Sequence, residues 1–313
     1  MIMKLNIVKP KIPVLWLDNW FIWKADDAFW KKIAKLVLEE KIIILDTGQF
    51  AEMLERYSDQ SKFTDESKYT LSIYETIAKP YISIDHSSFL GRQTAVAMRA
   101  YAEEKDELTI NFDDLFDPLI QELTPLLDFH NKTYGDKWGT PRNFKGLSSD
   151  ISIDWTAIRA DVIAKRETLS VRRRKELLGM HDAIKNIAMG SNPIRKKNLV
   201  DFYIKKWKKN TENTELNMML EFFKSNYYQE IPYVEIHSWL ISDLVTGTRN
   251  HRPSDYLDII MIAMALPFAD YMIIDKDIRS RIVDNRLKLV APKGHYQTKL
   301  LQENEIDEVL SKL

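Results

Sequence analysis

The chain contains no cysteine among its 313 residues. This absence excludes disulfide bonds, zinc sites built from thiolates and catalysis by a cysteine nucleophile. It also fits a protein of a reducing compartment. The sequence therefore predicts neither a disulfide-stabilised fold nor a cysteine-dependent enzyme.

Long hydrophobic runs are also absent. The longest one, residues 259–268, is far shorter than the ~20 residues that a bilayer-spanning helix needs. The first residues lack the apolar core of a signal peptide. The net charge is −1, so the overall charge balance identifies no partner. We expect a cytoplasmic protein with no membrane association.

Glycine is scarce, with nine residues in the chain. No glycine pattern matches the P-loop or the dinucleotide-binding fingerprint, in which glycines let backbone N–H groups approach phosphates. The absence of both motifs disfavours ATP and NAD chemistry.

What the chain does have is three short apolar segments that each lead into an aspartate. The segments are residues 14–17, 42–45 and 271–274, and the aspartates are Asp18, Asp46 and Asp275. They lack polar–apolar alternation, as is typical of strands buried on both faces of a parallel sheet. A helical pattern at residues 25–39 predicts a βαβ unit between the first two. The three aspartates would then share the edge where α/β proteins build their sites.

Two further acids are candidates for this edge. Asp258 lies one turn into an apolar helix that Pro267 should end at Leu266, just before the third segment. Glu52 lies on the helix that follows the second segment. Carboxylates gathered in one site repel one another unless a cation neutralises them. Oxygen ligands without cysteine or histidine favour a hard ion, Mg²⁺ or Mn²⁺.

Several acids also have structural interpretations. Asp46 opens a pattern, Asp46-Thr47-Gly48-Gln49, that resembles a helix capping box, and we leave it out of the site. Asp18 and Asp275 each lie between a strand and a helix, so each could be a helix cap instead of a metal ligand. We interpret Asp255 as a cap, with Ser254 as the other candidate, and Asp270 as a turn residue.

At these residues the chain resembles the PIN-domain nuclease superfamily. The matching positions are Leu17-Asp18-Asn19 after the first strand, Glu52 on the next helix (with Glu55 as second choice), Asp258 opening a buried helix, Asp275 closing the next strand, and Asp277 two residues later. Ile273 departs from the pattern, where a hydroxyl residue is common. The resemblance covers residues 11–57 and 231–313 and implies a three-layer α/β/α core around a central parallel sheet.

The function that the resemblance implies is metal-dependent phosphodiester hydrolysis, with RNA favoured over DNA as the substrate. Asp18, Asp258 and Asp275 would bind the metal directly. Glu52 would bind metal or orient the attacking water, and Asp277 would act as a direct or water-mediated ligand. The alternative is a non-catalytic protein of the same fold that binds nucleic acid or acts as a scaffold. No antitoxin or other protein partner can be named.

The second and third acids of this set are about 200 residues apart in the chain. The resemblance usually implies a short connection there. We therefore predict a discontinuous core, residues 1–57 plus 231–313, interrupted by a helical insertion at residues 58–230. The insertion would bind substrate or form a dimer, and residues 81–84 are its one extended piece.

The predicted insertion carries a basic segment, residues 151–210, with 15 Lys and Arg against six acids. Its net charge of +9 and the interleaved Tyr203 and Trp207 would suit a surface that follows a phosphate backbone. The alternative is an ordinary solvated helix face. Because residues 103–117 are acidic, the basic segment could instead contact them in a homodimer.

Two further histidine patterns suggest other chemistry. Arg174 and His181 have a spacing that HEPN ribonucleases allow, and those enzymes need no metal. Asp85 and His86 follow a strand-like run, but without a placed nucleophile they favour a structural hydrogen bond.

Overall fold

The computed structural model describes residues 3–49, 65–78, 80–83, 86–118, 155–189, 194–247, 255–283, 287, 289–290 and 294–313. Within these ranges no helix combines the length and apolar character that a membrane crossing requires. The predicted ligand Glu52 and its alternative Glu55 lie outside the described residues, as does Asp85.

The described residues form eight strands: β1 (Lys4–Val8), β2 (Val14–Leu17), β3 (Ile43–Asp46), β4 (Tyr81–Ser83), β5 (Glu107–Asn111), β6 (Phe116–Pro118), β7 (Tyr271–Ile273) and β8 (Lys299–Leu301). The first α-helices are α1 (Asn19–Lys24), α2 (Asp27–Leu38), α3 (Asp65–Ile73), α4 (His86–Ala102), α5 (Trp155–Ala164), α6 (Leu169–Ala188) and α7 (Ile194–Thr211). The later ones are α8 (Leu216–Lys224), α9 (Asn226–Gln229), α10 (Pro232–Thr246), α11 (Asp255–Ala265), α12 (Lys276–Val283) and α13 (Ile306–Leu310). A π-helical turn spans Tyr74–Ala78, and 3-10 turns span Phe112–Asp114 and Glu303–Glu305.

The chain divides into two compact units. The first is drawn from Met1–Val8, Asp85–Asp114 and Ile153–Ala263, and the second from Lys9–Ile84, Leu115–Ser152 and Met264–Leu313. Both contain helices and parallel strand pairs, so the protein is of the α/β class that the sequence predicts.

The second unit contains a six-stranded sheet in the order β6-β4-β3-β2-β7-β8. All neighbours are parallel except β4 and the edge strand β6. Every residue of β2 and β3 is buried, which explains why their sequences show no alternation. Helix α2 buries a stripe of Phe29, Ile33 and Leu36, at the spacing of one helix face. The ring of Trp30 on the same helix packs edge-on against the ring of Tyr74, and the two ring centroids are 6.2 Å apart.

The first unit is mainly helical. Its two strands, β1 and β5, pair in parallel. Helix α6 packs against α10, α8 and α7, and α4 packs against α7. Buried aromatic rings make up much of the centre of this unit, with neighbouring centroids 4.8 to 5.8 Å apart: Tyr203, Trp207, Phe222, Phe223 and Tyr228.

The predicted strands at 14–17, 42–45 and 271–274 are confirmed as β2, β3 and β7, and the end of the apolar helix before Leu266 is confirmed as well. The apolar residues Leu287, Leu289 and Val290 also predict a last strand at residues 287–290, and this prediction is wrong. Val290 makes one isolated bridge, to Tyr296, and β8 pairs with β7 instead. The Thr298 hydroxyl donates to the carbonyls of Leu266 (2.6 Å) and Ala269 (2.8 Å), which holds the chain before β8 beside the turn that leads into β7.

The division of the chain differs from the predicted core and insertion. Strands β4 and β6, which lie inside the predicted insertion at 58–230, belong to the same sheet as β2 and β3. Helix α10, which lies inside the predicted core, belongs to the first unit. The extended piece predicted at residues 81–84 is confirmed as β4. Strand β6 was not predicted, because three residues carry too little pattern to be distinguished from a surrounding helical texture.

Asp270 lies at the turn that leads into β7, as the sequence predicts for a turn residue. Its Oδ2 accepts from the backbone N–H of Val14 at 2.8 Å, and its Oδ1 accepts from Lys9 Nζ at 3.3 Å. Val14 is fully buried, so its N–H group has no access to water. This carboxylate therefore holds the first residue of β2 against the start of β7.

We expect Asp270→Ala to lower the free energy of unfolding by about 1–3 kcal/mol, because the buried Val14 N–H loses its acceptor. The measurement is urea unfolding followed by circular dichroism. Asp307→Ala is the control, since Asp307 pairs with Lys32 on the surface and its side chain is 82% exposed. Equal stability of the two variants would contradict the role of Asp270.

Candidate functional site

Asp18 and Asp275 lie at the same edge of the second unit's sheet. They follow β2 and β7, which are adjacent and parallel, with Leu17 opposite Ile273. The backbone N–H of Asp18 donates to the Ile273 carbonyl at 3.1 Å, so the pairing continues to Asp18 itself. Neighbouring strands run about 4.8 Å apart. The structure thus brings two of the predicted ligands to adjacent positions at the carboxyl ends of their strands.

This place in the sheet is also the point where the strand order reverses. From β2 the chain continues to one side through β3 and β4, whereas β7 and β8 lie on the other side. Connections leaving in opposite directions from two adjacent parallel strands open a crevice beyond their carboxyl ends. Ligand sites of open α/β sheets are found in such crevices.

Both aspartates also cap helices, which is the alternative that the sequence left open. Asp18 Oδ1 accepts from Trp20 N–H at 3.2 Å at the start of α1. Asp275 Oδ1 accepts from the N–H groups of Asp277 (2.7 Å) and Ile278 (3.0 Å) at the start of α12. A carboxylate has two oxygens and several lone-pair directions, so capping through Oδ1 is compatible with metal binding. The caps fix how each carboxylate is oriented.

The other predicted ligands have different positions. Asp277 is exposed in the first turn of α12, two residues after Asp275. Asp258 lies in the first turn of α11 and belongs to the first unit. Asp255 is the first residue of that helix and is buried, while Ser254 lies outside the described residues. In the ranges that the structure describes, no three acidic or histidine side chains are arranged to hold a metal ion.

Asp46 is buried, and the helix that the sequence predicts it to cap continues beyond the described residues. Its side chain is 1% exposed, and its Oδ1 accepts from Gly48 N–H at 2.9 Å. Its Oδ2 accepts from the Tyr74 hydroxyl at 3.1 Å. Both carboxylate oxygens of Asp46 therefore have a hydrogen-bond donor within the protein.

Gln49 holds the residue before Asp18 in place, and the pattern of acids in the sequence does not identify it. Its side chain is fully buried, and its Nε2 donates to the carbonyl of Leu17 at 2.8 Å. Its Oε1 accepts from Thr47 N–H at 2.8 Å, while Trp16 Nε1 donates to Thr47 Oγ1 at 2.9 Å. Gln49 therefore ties the turn after β3 to the residue before Asp18. The capping-box pattern contained this residue but could not show its long-range bond.

Two residue pairs of the basic segment that the sequence singles out can be located in the structure. Tyr203 and Trp207 are buried in the first unit, so the prediction that they belong to a surface that follows a phosphate backbone is wrong. Their spacing on α7 is that of a core face. His181 Nδ1 lies 2.8 Å from Asp182 Oδ1. Arg174 lines a cleft of the first unit, and His181 is not one of the residues that line this cleft.

Comparison with family models, curated proteins and solved structures finds no match to this chain.

We predict a loss of stability above pH 10 that depends on Tyr74. Burial, and then the neighbouring Asp46, raise the pKa of Tyr74 well above its usual value of 10. The folded state therefore holds the phenol proton more tightly than the unfolded state. The stabilisation is complete below about pH 10 and is lost above it, by up to about 1.4 kcal/mol per pH unit. Urea unfolding between pH 8 and 11 measures it.

In Tyr74→Phe the decline should be shallower, and stability at neutral pH lower by about 1–2 kcal/mol because Asp46 loses a donor. Tyr227→Phe is the matched control, since the Tyr227 hydroxyl donates to the backbone carbonyl of Lys105 at an exposed site and has no carboxylate as acceptor. Should both variants decline as steeply as the parent protein, the buried phenol would not be the cause.

Proposed function

We propose that the protein is a divalent-metal-dependent nuclease that hydrolyses phosphodiester bonds, with RNA as the favoured substrate. The observation that supports this most is the pair of carboxylates, Asp18 and Asp275, on adjacent parallel strands where the strand order reverses. In the proposed PIN-like core they are metal ligands, together with Glu52, and Asp277 contributes directly or through water.

The residues present suit a hard metal ion. Carboxylate oxygens are the ligands that Mg²⁺ and Mn²⁺ prefer. Each of the two described acids accepts a backbone N–H through one oxygen, so its orientation is set before an ion arrives. An ion bound there would supply an activated water and neutralise charge on the scissile phosphate.

Carboxylates alone cannot perform this reaction, because they repel a phosphodiester anion. The chain's own part is to hold two carboxylates close together at the mouth of a crevice. The helix starts at α1 and α12 contribute backbone N–H groups that reduce the repulsion between them. The preference for RNA over DNA rests on the family resemblance alone.

Asparagine substitution separates metal binding from helix capping. Asn caps helices about as well as Asp but carries no charge. We expect Asp18→Asn and Asp275→Asn to fold normally and to cleave RNA about 100-fold more slowly or worse, since a bound ion supplies several kcal/mol of catalysis. Gel-based cleavage of a labelled single-stranded RNA measures the rate.

Asp26→Asn is the matched control. Asp26 caps α2 by accepting from Phe29 N–H at 2.8 Å, and it is not one of the proposed ligands. This variant should cleave at the rate of the parent protein. Parent-like rates in Asp18→Asn and Asp275→Asn would refute the site.

Metal removal tests the reaction class. Cleavage should stop in EDTA and return on addition of Mg²⁺ or Mn²⁺ in excess. Cleavage that continues in EDTA and disappears in His181→Ala would instead favour the metal-independent alternative. RNA binding without turnover under all metal conditions would favour the non-catalytic alternative.

A further inference from the structure

The first unit contains an open cleft of about 510 Å³. Helices α6, α8, α9 and α10 all contribute to its wall. Its polar and aromatic lining consists of Ser170, Arg173, Arg174, Lys224, Gln229 and Trp239, and no lining residue is acidic. Three cations around one concave surface make it a place where an anion would be held.

The ion pairs of α6 leave positive charge in this cleft. The neighbouring cations Arg172 and Lys175 are each paired with a carboxylate, Glu176 and Glu167 respectively. Among the described residues, Arg174 takes part in no ion pair and no side-chain hydrogen bond. Carboxylates thus neutralise Arg172 and Lys175, whereas Arg174, which lines the cleft, keeps its positive charge unpaired.

Lys224 has a partner, but a weak one. It pairs with Glu221 at 2.6 Å, and the two side chains are 41% and 61% exposed. Exposed pairs of this kind contribute at most about 1 kcal/mol and are screened by salt. A phosphate in the cleft can therefore compete for the Lys224 ammonium group.

Arg173 is held in place by an aromatic ring. Its guanidinium carbon lies 4.1 Å from the ring centroid of Trp239, which is a cation–π contact. The contact holds the positive charge of Arg173 at the wall of the cleft, where it attracts an anion. Trp239 is a positioning residue in this arrangement, since it reduces the rotamer freedom that Arg173 would lose on binding.

We propose that this cleft binds the phosphate backbone of single-stranded nucleic acid. Guanidinium groups match phosphate oxygens in geometry and charge, and Ser170 and Gln229 can add neutral hydrogen bonds. A flexible single strand can turn a phosphate into a concave cleft, whereas the phosphates of a duplex lie on a convex, stiff surface. This binding does not require the second unit to be a nuclease.

The test is binding of a short fluorescein-labelled oligouridylate to the full-length chain in EDTA, measured by fluorescence anisotropy. Arg174→Gln should weaken binding about tenfold, the value of one charged hydrogen bond. The slope of log Kd against the logarithm of the salt concentration should also decrease by about the amount that one phosphate contact contributes. Lys185→Gln is the matched control, because Lys185 is an exposed cation of the same helix that does not line the cleft. It should change Kd less than about twofold.

Trp239 provides a second readout. Trp239→Ala should weaken binding, and Trp239→Phe should restore much of it because a phenyl ring can still stack on the guanidinium. Circular dichroism and thermal melting identify any variant that fails to fold. A purely structural role would instead lower the melting temperature in both variants without separating their affinities.

Competition experiments identify the ligand class. Unlabelled oligouridylate should displace the probe at far lower concentration than inorganic phosphate, uridine monophosphate or a duplex of equal length. Equal weakening by Arg174→Gln and Lys185→Gln would overturn the proposal in favour of general charge attraction. Displacement by uridine monophosphate as effective as by the strand would show that the cleft takes a small anion. Because these measurements contain no metal, they remain informative if no cleavage is found.

Discussion

The pairing of β2 with β7 is the constraint on which the candidate site depends. It joins segments of chain that are 256 residues apart, as measured between Val14 and Asp270. Closing so long a loop costs conformational entropy that grows only slowly with length. The contacts that offset it are local: the Asp270 carboxylate on Val14 N–H, the Asp18 N–H on the Ile273 carbonyl, and the burial of both strands. Without this pairing, Asp18 and Asp275 would belong to separate parts of the chain.

The chemistry of the sequence predicted the elements that lie at this edge. Uninterrupted apolar runs ending in aspartate identified β2, β3 and β7, because a strand buried on both faces cannot alternate. The capping pattern after β3 includes Asp46, whose carboxylate is buried and accepts from Gly48 and Tyr74. Long-range features were not predictable in the same way. No local pattern shows that Gln49 bonds to Leu17, or that Thr298 places β8 beside β7.

The errors have a common physical origin. Tyr203 and Trp207 lie among lysines in the sequence, and this neighbourhood suggested a surface that stacks on nucleic acid. On a helix, however, residues four apart share a face, so both rings point away from the intervening lysines. They pack against Phe222 and Phe223 instead. Strand β6 is embedded in a sequence with helical periodicity, and its three residues carry too little pattern to stand out.

The capping of helices by Asp18 and Asp275 has a consequence for how the sequence of this chain can evolve. Codons for aspartate and asparagine differ by a single base, and asparagine serves a helix start about as well. Selection for folding alone would therefore let either residue drift to asparagine at little cost. Buried Asp46 is different, since its two oxygens accept from Gly48 and from Tyr74. Related sequences that keep aspartate at positions 18 and 275 would therefore be under selection for the negative charge itself. Sequences with asparagine there could keep the same fold without that charge.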